Sequence, residues 1–458
     1  MSADPTAPGT GVASDRPTRS VAALCSAALS ILFLVVYGAC NEVTARRTAV
    51  GVLFWEWERA IPFVPAMIVP YMSIDLFFVA APFLCATRWE LRKYAARILL
   101  AILGAGAVFL SVPLRLAFDH PGVGGWYGFL FGLLEGFDRP YNLFPSLHIT
   151  LGFILVDHYS RHTRGALRGA IRIWFVWVAA STLLTWRHHV PDVLAGGGLA
   201  AVCFYAAPVA RPVAADYSFG AAPMNIRVGS MYAAAAVALG AAAVGFGGAW
   251  LLLLWPAAAL AIVSAAYFGR GAVVFRKTEG HVPLSVKLVL APVLVGIRLS
   301  HAWLRRGGPS GAEIVPNLRI GRLLNEREAA EATSTGVTAV LDLTAEYGEV
   351  DPFRRCAYRC VPILDLTAPT TRQLGDAADF IESRIRGGIV YVHCALGVSR
   401  SALAAAAYLL ASGRACSVEA AVKAVREARP EAVLKPEAVA ALTRFREEND
   451  NRRRDRPD

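Results

Sequence analysis

Eight apolar runs occupy most of the chain up to about residue 270, and they constrain its fold more than any other feature. The first, Ser20 to Cys40, reads SVAALCSAALSILFLVVYGAC and carries no charge. About 20 such residues in a helix cross the hydrocarbon of a bilayer. Further runs fall near 62–86, 96–118, 146–158, 171–187, 191–210, 229–247 and 250–268, the fourth being short. A mean hydropathy of +0.45 with 55% hydrophobic residues exceeds what a water-soluble core needs, so membrane spans are the first expectation. No small-residue cleavage site precedes the second run, and the first is read as retained.

The net charge of +11 is compatible with nucleic-acid binding, but Lys and Arg cluster between the apolar runs, where they set topology. No nucleic-acid partner is expected. Arg88, Arg92, Lys93 and Arg97, then Arg161, Arg164, Arg168 and Arg172, then Arg270, Arg276 and Lys277, occupy alternate loops, which are assigned to the cytoplasm. The loops around 41–60, 119–145 and 187–192 then face outward. Residues 283–303 are apolar, but Lys287 and Arg298 interrupt them, so they read as an interfacial helix on the inner leaflet.

The chain thus divides into a disordered tail (1–19), a membrane domain (20–270), a basic juxtamembrane linker (271–308), a soluble domain (309–448) and a charged tail (449–458). The eight cysteines form no paired framework, and Cys356 and Cys360 lack the second ligand pair a zinc site needs. The soluble part alternates strand-like runs at 337–343, 360–364 and 388–393 with helical patterns at 371–386, 400–412, 417–428 and 436–448, as an α/β domain does. About 140 residues can bury a core unaided.

Within it, VYVHCALGVSRS (390–401) places Cys394 where a strand gives way to a tight loop, with Arg400 opening a helix. Backbone amides of Ala395, Leu396, Gly397, Val398 and Ser399 then converge on one concavity, which suits a phosphate dianion. The same positive potential favours thiolate at Cys394, Arg400 offers a bidentate clamp, and Ser401 is placed to stabilise the departing thiolate.

His-Cys-x5-Arg-Ser, together with EIVPNLRIGRLLNEREAAEATSTGVTAVLDLTAE (313–346), resembles the cysteine-dependent dual-specificity phosphatases over about 310–448. The resemblance implies a cysteinyl-phosphate intermediate and a loop aspartate, here Asp365 in VPILDLTAPT, as the acid that protonates the leaving alcohol. The stretch DLTAPTTRQL (365–374) is similar to the acid loop of members acting on phosphatidylglycerol phosphate, while ALGVS lacks the lysines of phosphoinositide-selective relatives. A phospholipid phosphate is the favoured substrate, and a phosphorylated Tyr or Ser/Thr protein the alternative.

A second constellation lies in the membrane part. YNLFPSLHI (141–149) sets Ser146 and His148, and STLLTWRHHVPDVLAG (181–196) sets His188 and Asp192, where outward loops enter spans. Ionisable groups at that depth need partners or water. His188-x3-Asp192 suits one helical turn, so the carboxylate can orient the imidazole for attack on phosphorus, with His148 as acid and Ser146 holding an oxygen. Pro-Ser-x-His and His-x3-Asp resemble the type 2 phosphatidic acid phosphatase superfamily, particularly its branch with sphingomyelin and inositol-phosphoceramide synthases, over roughly 60–210. That resemblance makes His188 the nucleophile and Asp192 its partner. A Lys-x6-Arg-Pro element is missing; Arg115, at the end of the third span, and Arg187 are the nearest cations, and His189 is left as structural. The expected whole is a polytopic α-helical membrane domain, a six-helix lipid phosphatase core with extra spans, followed by an α/β cysteine phosphatase with a central sheet flanked by helices. It is expected in a bacterial inner membrane, with Cys394 cytoplasmic, His188 outward, and no metal or cofactor. A membrane signalling protein or an inert scaffold are the rival readings.

Overall fold

The computed structural model describes residues 15–119, 121–217, 224–304 and 309–454; most of the expected N-terminal tail and the end of the C-terminal tail lie outside them. The chain forms two compact units that divide between Val209 and Ala210. The division falls ahead of the expected boundary at 270, because the last two apolar helices pack with the C-terminal part.

The N-terminal unit contains α1 (Arg19–Ala45), α2 (Ile68–Ala80), α3 (Arg88–Ser111), α4 (Gly125–Glu135), α5 (Leu147–His162), α6 (Gly165–Leu184) and α7 (Val190–Ala206). Its core is the apolar seam where α3 meets α5 and α7, with Ile98, Ile102, Ile154 and Leu155 almost fully buried. Helix α3 starts earlier than the expected span at 96–118, because Thr87 caps it by accepting the Glu90 amide. Arg88, Arg92, Lys93 and Arg97 therefore lie on the helix and not in a loop. Arg97 is buried, bonded to Asp157 Oδ2 at 3.0 Å and to the Ala207 carbonyl at 2.9 Å. Helix α4 was not expected; GWYGFLFGLLE falls within the region read as a loop.

Helices α5 and α7 cross closely at Gly196, where a Cβ would stand 2.5 Å from the Ser146 carbonyl oxygen. The Ser146 amide donates to the Asp192 carbonyl at 2.9 Å, and Thr150 Oγ1 donates to the Gly196 carbonyl at 2.9 Å. These bonds place the N-terminal ends of α5 and α7 side by side.

The C-terminal unit begins with two apolar helices, α8 (Ile226–Phe246) and α9 (Leu254–Ala265), packed as a hairpin in which Ser264 Oγ bonds the Gly229 carbonyl at 2.8 Å. The apolar 283–303 stretch is helical but broken at Leu290, into α10 (Leu284–Val289) and α11 (Ala291–Leu304). Pro292, which cannot donate to the preceding turn, follows the break.

Beyond these, β1 (Gly311–Val315), β2 (Leu318–Arg322), α12 (Glu326–Ser334), β3 (Val337–Thr344), α13 (Asp351–Arg354), β4 (Ala357–Ile363), α14 (Thr371–Arg384), β5 (Ile389–Cys394), α15 (Arg400–Ala411), α16 (Val418–Ala428) and α17 (Pro436–Arg454) make an α/β domain. The sheet runs β1-β2-β5-β3-β4, with β1 antiparallel and the rest parallel. Strand β3 is buried from Ala339 to Thr344, and its apolar run is interrupted by the buried Asp342. The alanine-rich α15 is buried from Arg400 to Leu410 and packs against the sheet beside α14 and α17. Central strand β5 carries Cys394 at its C-terminal end, where ligands of parallel sheets bind. The β1–β2 hairpin, α12 and the short α13 are the elements the periodicity did not single out.

Six described helices are long and apolar enough to cross a membrane: Arg19–Ala45, Pro65–Leu84, Arg88–Ser111, Gly165–Leu184, Ile226–Phe246 and Gly248–Phe275. The other two expected spans are α5 and α7, of 16 and 17 residues. They reach only about 25 Å, short of a hydrocarbon core of about 30 Å.

Candidate active sites

Between β5 and α15 the chain turns tightly around the sulfur of Cys394. Gly397 makes the turn possible: its φ is +73°, and a Cβ there would stand 2.3 Å from the Gly321 carbonyl carbon. Its amide donates to Cys394 Sγ at 3.3 Å, and Ser401 Oγ lies 3.6 Å from the same sulfur. Ser399 precedes α15 without a side-chain cap, so the first amides of that helix are left for an anion. Burial alone would raise the Cys394 thiol, but Arg400, then Ser401 and the Gly397 amide, outweigh it and hold the pKa below the ordinary thiol value.

Arg400 is itself buried and gripped by Glu346, with Nη2 to Oε1 at 2.8 Å and Nη1 to Oε2 at 3.1 Å. Nη1 also reaches the Ile363 carbonyl at 3.0 Å, while Nε has no hydrogen-bond partner among the described residues. A fork held in this way keeps one face of the guanidinium fixed. Asp365, in the loop after β4 and 38% exposed, stands with Oδ1 3.4 Å from Arg400 Nη2. The structure therefore gathers Cys394, Arg400, Ser401, Asp365 and the 395–399 loop at one place.

The sequence reading missed the groups that support this site. His393, fully buried behind Cys394, has Nε2 2.7 Å from Glu349 Oε2 and 3.9 Å from Asp342 Oδ1. Burial would lower its pKa, but the two carboxylates raise it above the ordinary imidazole value. Asp342 also pairs with buried Lys277, whose Nζ donates to the Thr344 carbonyl at 2.9 Å and to Thr344 Oγ1 at 3.1 Å. Asp342, Glu349 and His393 are close enough to hold a cation together, but the ammonium of Lys277 already pairs with Asp342. The available signal was TAEYGE (344–349), two acids just past a buried strand.

In the N-terminal unit, Ser146 caps α5 by accepting the Ile149 amide at 3.3 Å. His148 stacks on Tyr71 with ring centroids 4.1 Å apart. His188 lies with Nδ1 3.7 Å from Asp192 Oδ2, beyond hydrogen-bond length. The two do not share a helical turn as expected, because α7 begins at Val190 and Asp192 Oδ2 is used to accept the His189 amide at 2.8 Å. His189 is structural, with Nδ1 3.2 Å from Glu58 Oε2 and Nε2 accepting the Ala117 amide at 3.1 Å.

The two expected cations differ. Arg187 Nη2 is paired with Asp138 Oδ2 at 3.2 Å, and the Arg187 and His188 side chains line a cavity of only about 10 Å³, the room of one water. Arg115 does not end the third span: α3 stops at Ser111, and the exposed Arg115 belongs to the segment bonded to Gly51. His148 Nε2, His188 Nδ1 and Asp192 Oδ1 are buried without hydrogen-bond partners among the described residues.

One of these sites lies within a segment that matches a known family. Residues 324–448 match the family model for the dual specificity phosphatase catalytic domain, which lies wholly in the C-terminal unit. The chain is similar to dual specificity protein phosphatase 1-B of Xenopus laevis, 33% identical over 112 residues, covering 24% of this chain and 29% of that protein. It is also similar to dual specificity protein phosphatase 22 of Homo sapiens, 33% identical over 101 residues, covering 21% of this chain and 53% of that protein. Among solved structures, Tk-PTP in its active form shares 32% identity over 30% of this chain and 97% of its own, with a TM-score of 0.29. The chain spans less than a third of the length of the first of these relatives.

Proposed function

We propose that this chain, whose residues 324–448 are a dual specificity phosphatase catalytic domain, hydrolyses a phospholipid phosphate such as phosphatidylglycerol phosphate at the cytoplasmic face of a bacterial inner membrane. The observation that carries the reading is the Cys394 sulfur, bonded by the Gly397 amide, beside Ser401 and with its pKa lowered chiefly by Arg400.

The thiolate attacks phosphorus as the P–O bond to the lipid alcohol breaks, and the Asp365 carboxyl gives that oxygen its proton. Arg400 and the loop amides hold the three equatorial oxygens. In the second half, Asp365 takes a proton from water, the resulting hydroxide attacks phosphorus, and the S–P bond breaks. Inorganic phosphate leaves, and Ser401 with the amides receives the sulfur anion. No cofactor is called for.

A lipid is favoured over a phosphoprotein because the acid loop is tied to an apolar helix. Asn225, which caps α8, donates from Nδ2 to the carbonyl of Leu366, next to Asp365, at 2.8 Å. The test is phosphate release from phosphatidylglycerol phosphate and from a phosphotyrosine peptide. Wild type should prefer the lipid, and Cys394→Ser should lose the activity. Peptide turnover exceeding lipid turnover would make the membrane signalling reading the better one.

A second reading concerns the N-terminal unit, as an outward-facing lipid phosphatase or headgroup transferase with His188 as nucleophile. Unpartnered polar atoms on His148, His188 and Asp192, buried at adjoining helix ends, support it. Asp192 would orient His188, His148 would protonate the leaving oxygen, and Ser146 and Arg187 would hold phosphoryl oxygens. His188→Ala should abolish this activity on a panel of lipid phosphates and leave the Cys394 reaction intact.

A further inference from the structure

A cleft of about 380 Å³ within the C-terminal unit is lined in part by Asp365, the acid of the proposed reaction. Its lining includes Glu346 and Asp365, the two carboxylates that pair with Arg400. Apolar side chains line most of the rest, among them Leu260 and Val263 of α9, Ile297 of α11, and Leu364 and Leu366 of the acid loop, with the polar groups of Tyr232, Tyr267, Ser300 and His301 also in the lining. Phosphatase chemistry alone does not require such walls.

The outer faces of the helices that form the cleft are apolar as well. Val295, Leu299 and Trp303 of α11 and Trp255 of α9 are all more than half exposed. A peptide from water would meet a surface of this kind only by desolvating it, whereas a hydrocarbon chain already in a bilayer passes along it at little cost. The volume is at the low end of the range for ligand pockets, about 300–1,000 Å³, enough for part of one acyl chain and not for a whole diacyl lipid.

We infer that this cleft is an acyl-chain channel through which one chain of a phospholipid monoester passes between α9, α11 and the acid loop while its phosphate reaches Cys394. This inference rests on the lipid reading of the Cys394 site and adds which part of the protein recognises the lipid. It also assigns α9 and α11 to substrate selection and not merely to anchoring.

Gly296 of α11 offers the test, because it lines the cleft and a Cβ added there meets nothing within 4 Å. Gly296→Trp in the full chain, reconstituted in vesicles, is expected to lower the ratio of long-chain phosphatidylglycerol phosphate turnover to para-nitrophenyl phosphate turnover by about tenfold or more. An unchanged ratio, with wild type still turning over the lipid, would overturn the channel and leave the lipid reading standing. Wild type acting on phosphotyrosine peptide but not on lipid phosphate would overturn both. A lipid phosphate with a diazirine at the end of its acyl chain supplies an independent readout on wild type. Label in α9 or α11 peptides supports the channel, and its absence from both overturns it.

Discussion

The Cys394 loop and the His188 cluster bury their reactive atoms to a similar depth, with residues 3% and 8% exposed, yet they are built in opposite ways. Cys394 is held by one contiguous turn, whose donors are the Gly397 amide and the next few residues. The His188 cluster draws on side chains from α5, the loop before α7, α7 itself and the loop bearing Asp138. Both cations are paired with carboxylates, Arg400 with Glu346 and Arg187 with Asp138, but Arg400 also lowers the pKa of the Cys394 thiol beside it. A backbone-built anion hole is complete before any ligand arrives, whereas a side-chain cluster with unpartnered atoms is completed by what binds it.

The largest effect should separate the two sites outright. Cys394→Ser is expected to lower phosphatidylglycerol phosphate hydrolysis by at least about ten-thousandfold, with no phosphoenzyme trapped on acid quench. Turnover of any outer-leaflet substrate should be untouched. If His188→Ala removed the same activity, the contrast between two independent sites would be broken.

That difference in construction also explains what could be read from the sequence. Cys394, Arg400, Ser401 and the loop between them lie within eight consecutive residues, and a motif is visible because its geometry is local. Asp365 was reachable through the pattern of its loop. Glu346 and Glu349 left only the faint signal of two acids past a buried strand, and Asp342 and Lys277 left none, since all four meet Arg400 and His393 through sheet register and a distant turn. Arg97 was misplaced because a charge beside an apolar run reads as a loop, while here it is buried against Asp157. In the α/β domain the patterns at 371–386, 400–412 and 417–428 fall on α14, α15 and α16, because amphipathic spacing is itself local.

The next effect sharpens the contrast by removing hidden support from the Cys394 site. Lys277→Met leaves Asp342 charged and buried without its ammonium partner, held only by Tyr358, Thr344 and the more distant His393, and should cost the C-terminal unit about 3 kcal/mol, read as a lower urea midpoint. Adding Asp342→Asn should restore part of it; a loss below about 1 kcal/mol would show that the pair does not hold the site. The pH dependence carries a sign for each partner. Asp342 is held below its ordinary value despite burial, because of Lys277, so its contribution is present above about pH 4 and is lost as pH falls through the folded value. His393 is raised, so its contribution is full below about pH 6.5 and is lost as pH rises through the folded value.

A smaller effect belongs to the acid. Asp365→Asn should slow alkyl phosphates by about a hundredfold, and para-nitrophenyl phosphate much less, because its leaving group needs no proton. Equal losses on both would make Asp365 a positioning group for Arg400 and not the proton donor.

The smallest effect tests whether the sulfur depends on the backbone as much as the comparison claims. Ser401→Ala removes one hydroxyl near Cys394 while leaving the Gly397 amide and Arg400 in place. The cost should be about tenfold in breakdown of the cysteinyl-phosphate, the worth of one hydrogen bond to a charged atom. Burst amplitude should rise as the second step slows. Since the hydroxyl helps hold the thiol below its ordinary value against burial, its loss should move the pH profile of iodoacetamide alkylation upward. A profile that stays in place would assign the lowering to Arg400 and the amides alone, and the Cys394 site would then be more fully backbone-built than the His188 cluster by one further group.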